Sequence, residues 1–181
     1  MRRFRTRSWR AFEPPAAAER SAPLAALRIL GLDPGSRRTG FGIIECTGGD
    51  SVELAHGCIV AQGSSLNDRL RAIYHGVHAL IERYQPAEIA IERVFVNRNV
   101  DSALKLGHAR GAALCAVPAA LPVFEYAPRA IKLAVVGFGA AEKAQVAHMI
   151  RTLLHLQERI AADAADALAV AVCHAHTRRL R

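Results

Sequence analysis

Long apolar runs, paired cysteines and lysine are all scarce in this 181-residue chain, and each scarcity removes a class of explanation. No apolar stretch reaches the ~18 residues that a membrane span requires. The most apolar one, Gly111–Phe124, is broken by Pro118 and Pro122. The four cysteines, Cys46, Cys58, Cys115 and Cys173, are scattered and form no C-x-x-C pair. That argues against a zinc site or a disulfide framework and for reduced thiols in a cytoplasmic protein. Acids are outnumbered by basic residues, 16 against 24, for a net charge of +8. Such a balance points to a polyanionic partner, nucleic acid being the commonest. Only three of the 24 basic residues are lysine and alanine is abundant, a compositional bias that keeps charge from deciding the question alone. With 51% hydrophobic residues, the chain has the material for one domain with a real core.

The first segment, Met1–Ala26, holds six Arg and two Glu and so supplies +4 of the +8. It is Arg-rich and contains prolines, shows little periodicity and lacks the apolar core of a secretory signal. It reads as a basic, disordered extension, or as the product of an upstream start site, ahead of one domain covering Leu27–Arg181. Within that domain Arg28–Asp33 is almost continuously apolar, like a central strand covered on both faces. Thr39–Glu45 and Ser51–Val60 read as two more strands of an antiparallel meander. From Leu66 to Tyr84 apolar residues recur at helical spacing, and Pro86 follows. Glu88–Val96 reads as a strand, Asn99–Ala116 as a helix and "LPVFEYA" as a short strand. Pro128 suits the first turn of a helix reaching about Val136. Two further helices, Ala141–His155 and Asp163–His176, complete the chain. No internal repeat is visible. This order predicts an α/β domain with a mixed sheet and helices on its faces.

Four acids stand where acids are unexpected. Asp33 ends the first strand, directly before Pro34-Gly35. It is either a turn residue bonding to its own backbone or a ligand for a metal or phosphate at a strand end. Glu92 lies in a strand among Ile89, Ile91 and Val94. A buried, unpaired polar group there costs on the order of 2–7 kcal/mol, so the plain alternative is pairing with Arg93 or another arginine. Asp163 and Asp166 are three residues apart at the start of a helix and share one face, where the helix dipole favours anions. Asp163 also suits a helix N-cap. If the four converge, they cannot all stay ionised without a counter-charge. Hard divalent cations such as Mg²⁺ take oxygen ligands of this kind.

The segments "ILGLDPGSRRTGFGIIE", "IAIERVFVNRNVDSALKLGHARG", "LPVFEYAPRAIKLAVVGFGAAEKAQVAHMI" and "ADAADALAVAVCHAH" closely resemble those of the RuvC-type crossover junction endodeoxyribonucleases, the bacterial Holliday junction resolvases. The resemblance runs from about Leu27 to His176. It implies a ribonuclease H-like fold and a homodimer that binds a four-way DNA junction. Paired nicks in opposed strands would leave 5′-phosphate and 3′-hydroxyl ends. Carried over by position, it makes Asp33, Glu92, Asp163 and Asp166 the catalytic acids. They would hold Mg²⁺, with Mn²⁺ as a substitute and two ions per site, to activate water for in-line attack. Phe95 matches an aromatic that wedges into the junction centre; the alternative is a strand-core residue. Lys132 and Lys143 match basic positions near the scissile strand; the alternative is an ordinary solvated lysine on a helix. Arg98 and Arg129 fit phosphate contacts. The "HAH" near the end has no metal partners at suitable spacing. The resemblance further implies a RuvA–RuvB branch-migration complex as partner, and no membrane. The Leu66–Tyr84 helix is a candidate dimer surface. Family members begin just before the first strand, so the extension is the main departure; it is expected to be dispensable for cleavage.

Three other readings remain. Asp33, Gly35 and Thr39 also resemble the first phosphate loop of actin- and Hsp70-like ATPases, but the chain is too short for two such lobes. A related ribonuclease H-like nuclease could act on other branched or RNA-containing substrates. A junction-binding protein without activity is disfavoured by the intact set of four acids.

Overall fold

The computed structural model describes residues 26–94 and 100–178. Its elements are β1 (Leu27–Asp33), β2 (Arg38–Thr47), β3 (Asp50–Val60), α1 (Leu66–Tyr84), β4 (Glu88–Glu92), α2 (Val100–Cys115), β5 (Val123–Tyr126), α3 (Pro128–Val136), α4 (Lys143–Leu153) and α5 (Ala162–Arg178). The strands form one sheet in the order β3-β2-β1-β4-β5. β1, β2 and β3 pair antiparallel as a meander, whereas β1–β4 and β4–β5 are parallel. Parallel neighbours need a crossover, and α1 and α2 supply the two crossovers. The predicted mixed sheet flanked by helices is therefore observed.

Alternation along the strands divides the core in two. Leu30 and Leu32 of β1 and Ile89 and Ile91 of β4 pack with Ile73, Val77 and Ile81 of α1 and Ala109 and Ala113 of α2. Ile29 and Ala90 face the other way, onto α5 with α3 and α4. α5 is buried without interruption from Ala167 to Ala175. Its small residues let it lie close on the sheet. A Cβ at Gly31 would run into the Ala167 backbone, and one at Gly40 into the Asp163 backbone. Those glycines are where β1 and β2 admit the helix.

Helix ends follow local chemistry. Ser65 and Asp68 form a capping box at α1, Pro128 occupies the first turn of α3, and Gly137 closes it in the left-handed conformation. Of the boundaries that differ from the sequence reading, three bear on the site. β4 stops at Glu92, not Val96. α4 begins at Lys143 because Glu142 caps it through a box with Gln145. α5 begins at Ala162, so Asp163 lies inside the first turn and is not an N-cap.

Candidate active site

Strand parity places the acids. Leu32 of β1 pairs with Ile91 of β4, so Asp33 and Glu92 end neighbouring parallel strands, one step further on. Both share the face of Ile29 and Ala90, the face covered by α5. This helix runs opposite to β4. Glu88 at one end of the strand meets His174, with Nε2 2.6 Å from Oε2. Eight residues earlier on the helix, about 12 Å along its axis, Asp166 stands over the other end of the strand. The four-residue span from Glu88 to Glu92 is about 13 Å. The helix and the strand thus bring Asp166 to Glu92 by matched lengths.

Asp33, Glu92 and Asp166 line one cleft of about 260 Å³, together with Lys132, Lys143, Pro128 and Ile131. Lys143 Nζ lies 2.7 Å from Asp166 Oδ2. Burial, then the hydrogen bond with Glu92 and the charges of Glu92 and Asp166, push the Asp33 carboxyl from 3.8 up to about 8, against the opposing charge of Lys143. Burial and the Asp166 charge likewise hold Glu92 above its ordinary range, while its bond to Asp33 and the charges of Lys143 and Lys132 oppose this. The Asp33–Glu92 pair therefore retains a proton near neutral pH. The Lys143 ammonium is itself held charged, chiefly by its hydrogen bond to Asp166.

Among the described residues, no three His, Cys, Asp or Glu side chains gather closely enough to hold an ion as they stand. The donor chemistry nevertheless fits a hard cation. Three carboxylates meet in a half-buried cleft, where a proton and a lysine supply the counter-charge that a divalent ion could supply instead.

The remaining site expectations divide. Asp163 does not line the cleft. Its Oδ2 lies 3.0 Å from Arg38 Nε and 3.6 Å from Cys58 Sγ. Glu92 does not pair with Arg93, which faces Glu125 at 3.5 Å. Arg110 Nε instead donates to the Glu92 backbone carbonyl at 3.4 Å, and its guanidinium lies 2.6 Å from Glu125. Arg129 is exposed in the first turn of α3, outside the cleft wall, against the Gly139 turn. Phe95 and Arg98 lie outside the described residues. Thr39, part of the phosphate-loop resemblance, is buried and closes the turn after Asp33, its Oγ1 donating to the Gly35 carbonyl at 3.3 Å.

Arg38, Cys58 and Arg110 were missed in the sequence. Arg38 and Cys58 meet because Gly40 of β2 pairs with Cys58 of β3, a register that carries a shift at Ile43/Ile44. No local signal reveals it. Arg110 could have been suspected as an arginine that recurs on the inward face of α2 with Ala109 and Ala113.

Comparison with known proteins bears on the family and the fold. The family model described as crossover junction endodeoxyribonuclease RuvC matches residues 29–174. Relatives of that name from Shewanella amazonensis and Shewanella baltica are 55% and 57% identical, over 83% and 82% of this chain and 88% and 87% of theirs. The structure is similar to that of T. thermophilus RuvC in complex with a Holliday junction substrate, with a TM-score of 0.80, 33% identity, and coverage of 85% of this chain and 96% of that one. It shares its fold with the yeast mitochondrial Holliday junction resolvase Ydc2, with a TM-score of 0.58, 14% identity, and coverage of 86% and 83%.

Proposed function

Because the chain belongs to the RuvC family of crossover junction endodeoxyribonucleases, we propose that it resolves four-way DNA junctions by paired, symmetric nicks in recombination and repair. The observation that carries this is the convergence of Asp33, Glu92 and Asp166 with Lys132 and Lys143 in one cleft. Asp33, Glu92 and Asp166, joined by Asp163, would hold Mg²⁺ or Mn²⁺, two ions per site. The metal would supply an activated water and neutralise charge on the phosphodiester. The chain's own residues do the rest. Asp33 sits rigidly at a strand end, so its carboxyl is aimed by the sheet. Arg110 braces the end of β4 through the Glu92 carbonyl. Lys132 and Lys143 attract the phosphate backbone into a cleft whose acids would otherwise repel it. The products are 5′-phosphate and 3′-hydroxyl ends.

A homodimer would present two such clefts to opposed strands. α2 supports the contact better than α1. Val100 and Leu104, one turn apart, are 65% and 58% exposed, and the space over Gly107 and Gly111 on the same helix is open. Phe95 as junction wedge, Arg98 and Arg129 as phosphate contacts, a RuvA–RuvB partner and a cytoplasmic setting complete the proposal. No helix of the described residues is long and apolar enough to cross a membrane.

The experiment is nicking of a labelled four-way junction in Mg²⁺, beside Asp166→Asn and a linear duplex of the same sequence. Paired, ligatable nicks in the junction only, lost in the variant, are expected. Binding without nicking by the unmodified protein would refute the catalytic reading.

A further inference from the structure

Asp163 and Asp166 leave α5 from the same turn yet have different partners. Asp166 faces the cleft, whereas Asp163 is turned to the β2–β3 side and held by Arg38 Nε at 3.0 Å. Arg38 also donates to Cys58 Sγ at 3.3 Å, and Cys58 reaches Asp163 at 3.6 Å, so one small cluster ties the carboxylate to two strands. The backbone cannot move far, since Gly40 lies directly beneath the Asp163 carbonyl. A change of partner would therefore have to come from the side chain. The side chains of Arg38 and Asp163 are 56% and 40% exposed, and ion pairs this open to water are weak. Arg38 stands five residues after Asp33, at the far end of the turn that follows the first acid. A guanidinium can bind phosphate through two parallel, charge-assisted bonds.

From this we infer that Arg38 is a positioning residue that acts as a latch. In the free protein it holds Asp163 out of the acidic cleft. When a DNA phosphate takes the guanidinium, Asp163 is released to join Asp33, Glu92 and Asp166. The full set of metal ligands is thereby assembled only on the substrate. This rests on the nuclease reading above and adds to it an order of events: phosphate first, fourth carboxylate second.

The test is a thermodynamic cycle on the full-length protein without DNA, reading Mn²⁺ affinity by titration calorimetry. Arg38→Gln is expected to tighten Mn²⁺ binding by up to about fivefold, the most that an ion pair this exposed can withhold. Asp163→Asn alone is expected to leave that affinity unchanged, because the carboxylate is already withheld. Adding Asp163→Asn to Arg38→Gln is expected to abolish the gain. On the junction, Asp163→Asn is expected to slow nicking sharply despite its unchanged affinity in the free protein. Arg38→Ala serves as a second variant with the same expectations. A gain that survives in the double variant would mean that removal of a positive charge caused it, and the latch would be wrong. So would an Arg38 variant with unchanged affinity, or an Asp163→Asn that weakens Mn²⁺ in the otherwise unmodified protein. Mn²⁺ binding and normal nicking with no Arg38 effect would overturn the latch alone. No Mn²⁺ binding and no nicking by any form would overturn the nuclease reading with it.

Discussion

Replacing Asp33 by Asn removes a charge that the folded protein is poorly built to carry. Its carboxyl is raised from 3.8 to about 8, first by burial and then by Glu92 and Asp166. The folded chain therefore holds this proton more tightly than the unfolded chain does. The stability that comes with it is complete below about pH 4 and is lost as pH rises towards 8. At about 1.4 kcal/mol per tenfold change in proton affinity, the ceiling on that loss is about 6 kcal/mol. The proton is shared with Glu92 and the cleft is open to water, so about half of that is the realistic figure. Asparagine keeps the shape and drops the charge. Asp33→Asn is expected to unfold at a higher temperature than the unmodified protein at pH 8, by roughly 6–12 °C for a domain of this size. At pH 5 the gap should shrink to about a third of that, and below about pH 4, where Asp33 is protonated in both the folded and the unfolded chain, the two should nearly coincide. The assay is a thermal melt in chelator across pH 4–9.

Adding Mg²⁺ at pH 8 should then close about half of that gap. A cation held by the intact acids stabilises the unmodified protein, by about 1.4 kcal/mol at ten times Kd, and stabilises the variant less. Nicking should be lost in the variant while junction binding remains. The reasoning would be refuted by a variant that is destabilised equally at pH 5 and pH 8 and indifferent to Mg²⁺. That result would make Asp33 a turn residue serving Pro34-Gly35, the alternative that its sequence context leaves open.

Other consequences are expected from single contacts. Gly31→Val should destabilise the fold by about 3 kcal/mol or more, measured by denaturant unfolding, because the new side chain enters the backbone of α5. Burial raises the Glu88 carboxyl, but hydrogen bonds from Arg178 and His174 outweigh it and hold the group below its usual value. That stability is present above the ordinary glutamate range and is lost as pH falls through the lowered value. Glu88→Gln should therefore cost on the order of 3 kcal/mol at pH 7 and less in acid melts. Leu104→Glu should shift a dimer to monomer in sedimentation and uncouple the two nicks, leaving single nicks per junction. Lys143→Ala should weaken junction binding and reduce its salt dependence, read as a shallower slope of log K against log salt.

The fold was legible because each element announced itself through a different period. β1 is a short apolar run, α1 repeats at helical spacing, and Pro86, Pro118 and Pro128 mark element boundaries. The error at β4 arose because "RVFV" extends the alternation of the strand past Glu92, while the backbone ladder stops there. Periodicity records which side chains alternate, and pairing depends on whether a neighbouring strand continues. β5 ends at Tyr126, opposite Glu92, so β4 has no partner beyond that point on this side.

The acids show where such reading stops in physical terms. Parity within a strand, and spacing along a helix, specify the face on which an acid stands; that was sufficient for Asp33, Glu92 and Asp166. For Asp163 the same face is compatible with two partners, and the choice is made by Arg38, which reaches it from another element through a β2–β3 register. An acid's membership in a site is thus decided by competition between cations: a fixed guanidinium on one side, and the cleft's own requirement for counter-charge on the other. On the latch proposed above, a polyanionic substrate would change that competition by occupying arginine and adding negative charge to the cleft at the same time. In a site built this way, binding the substrate and completing the ligand set are one event. The four acids would then be three that the fold assembles and one that the DNA recruits.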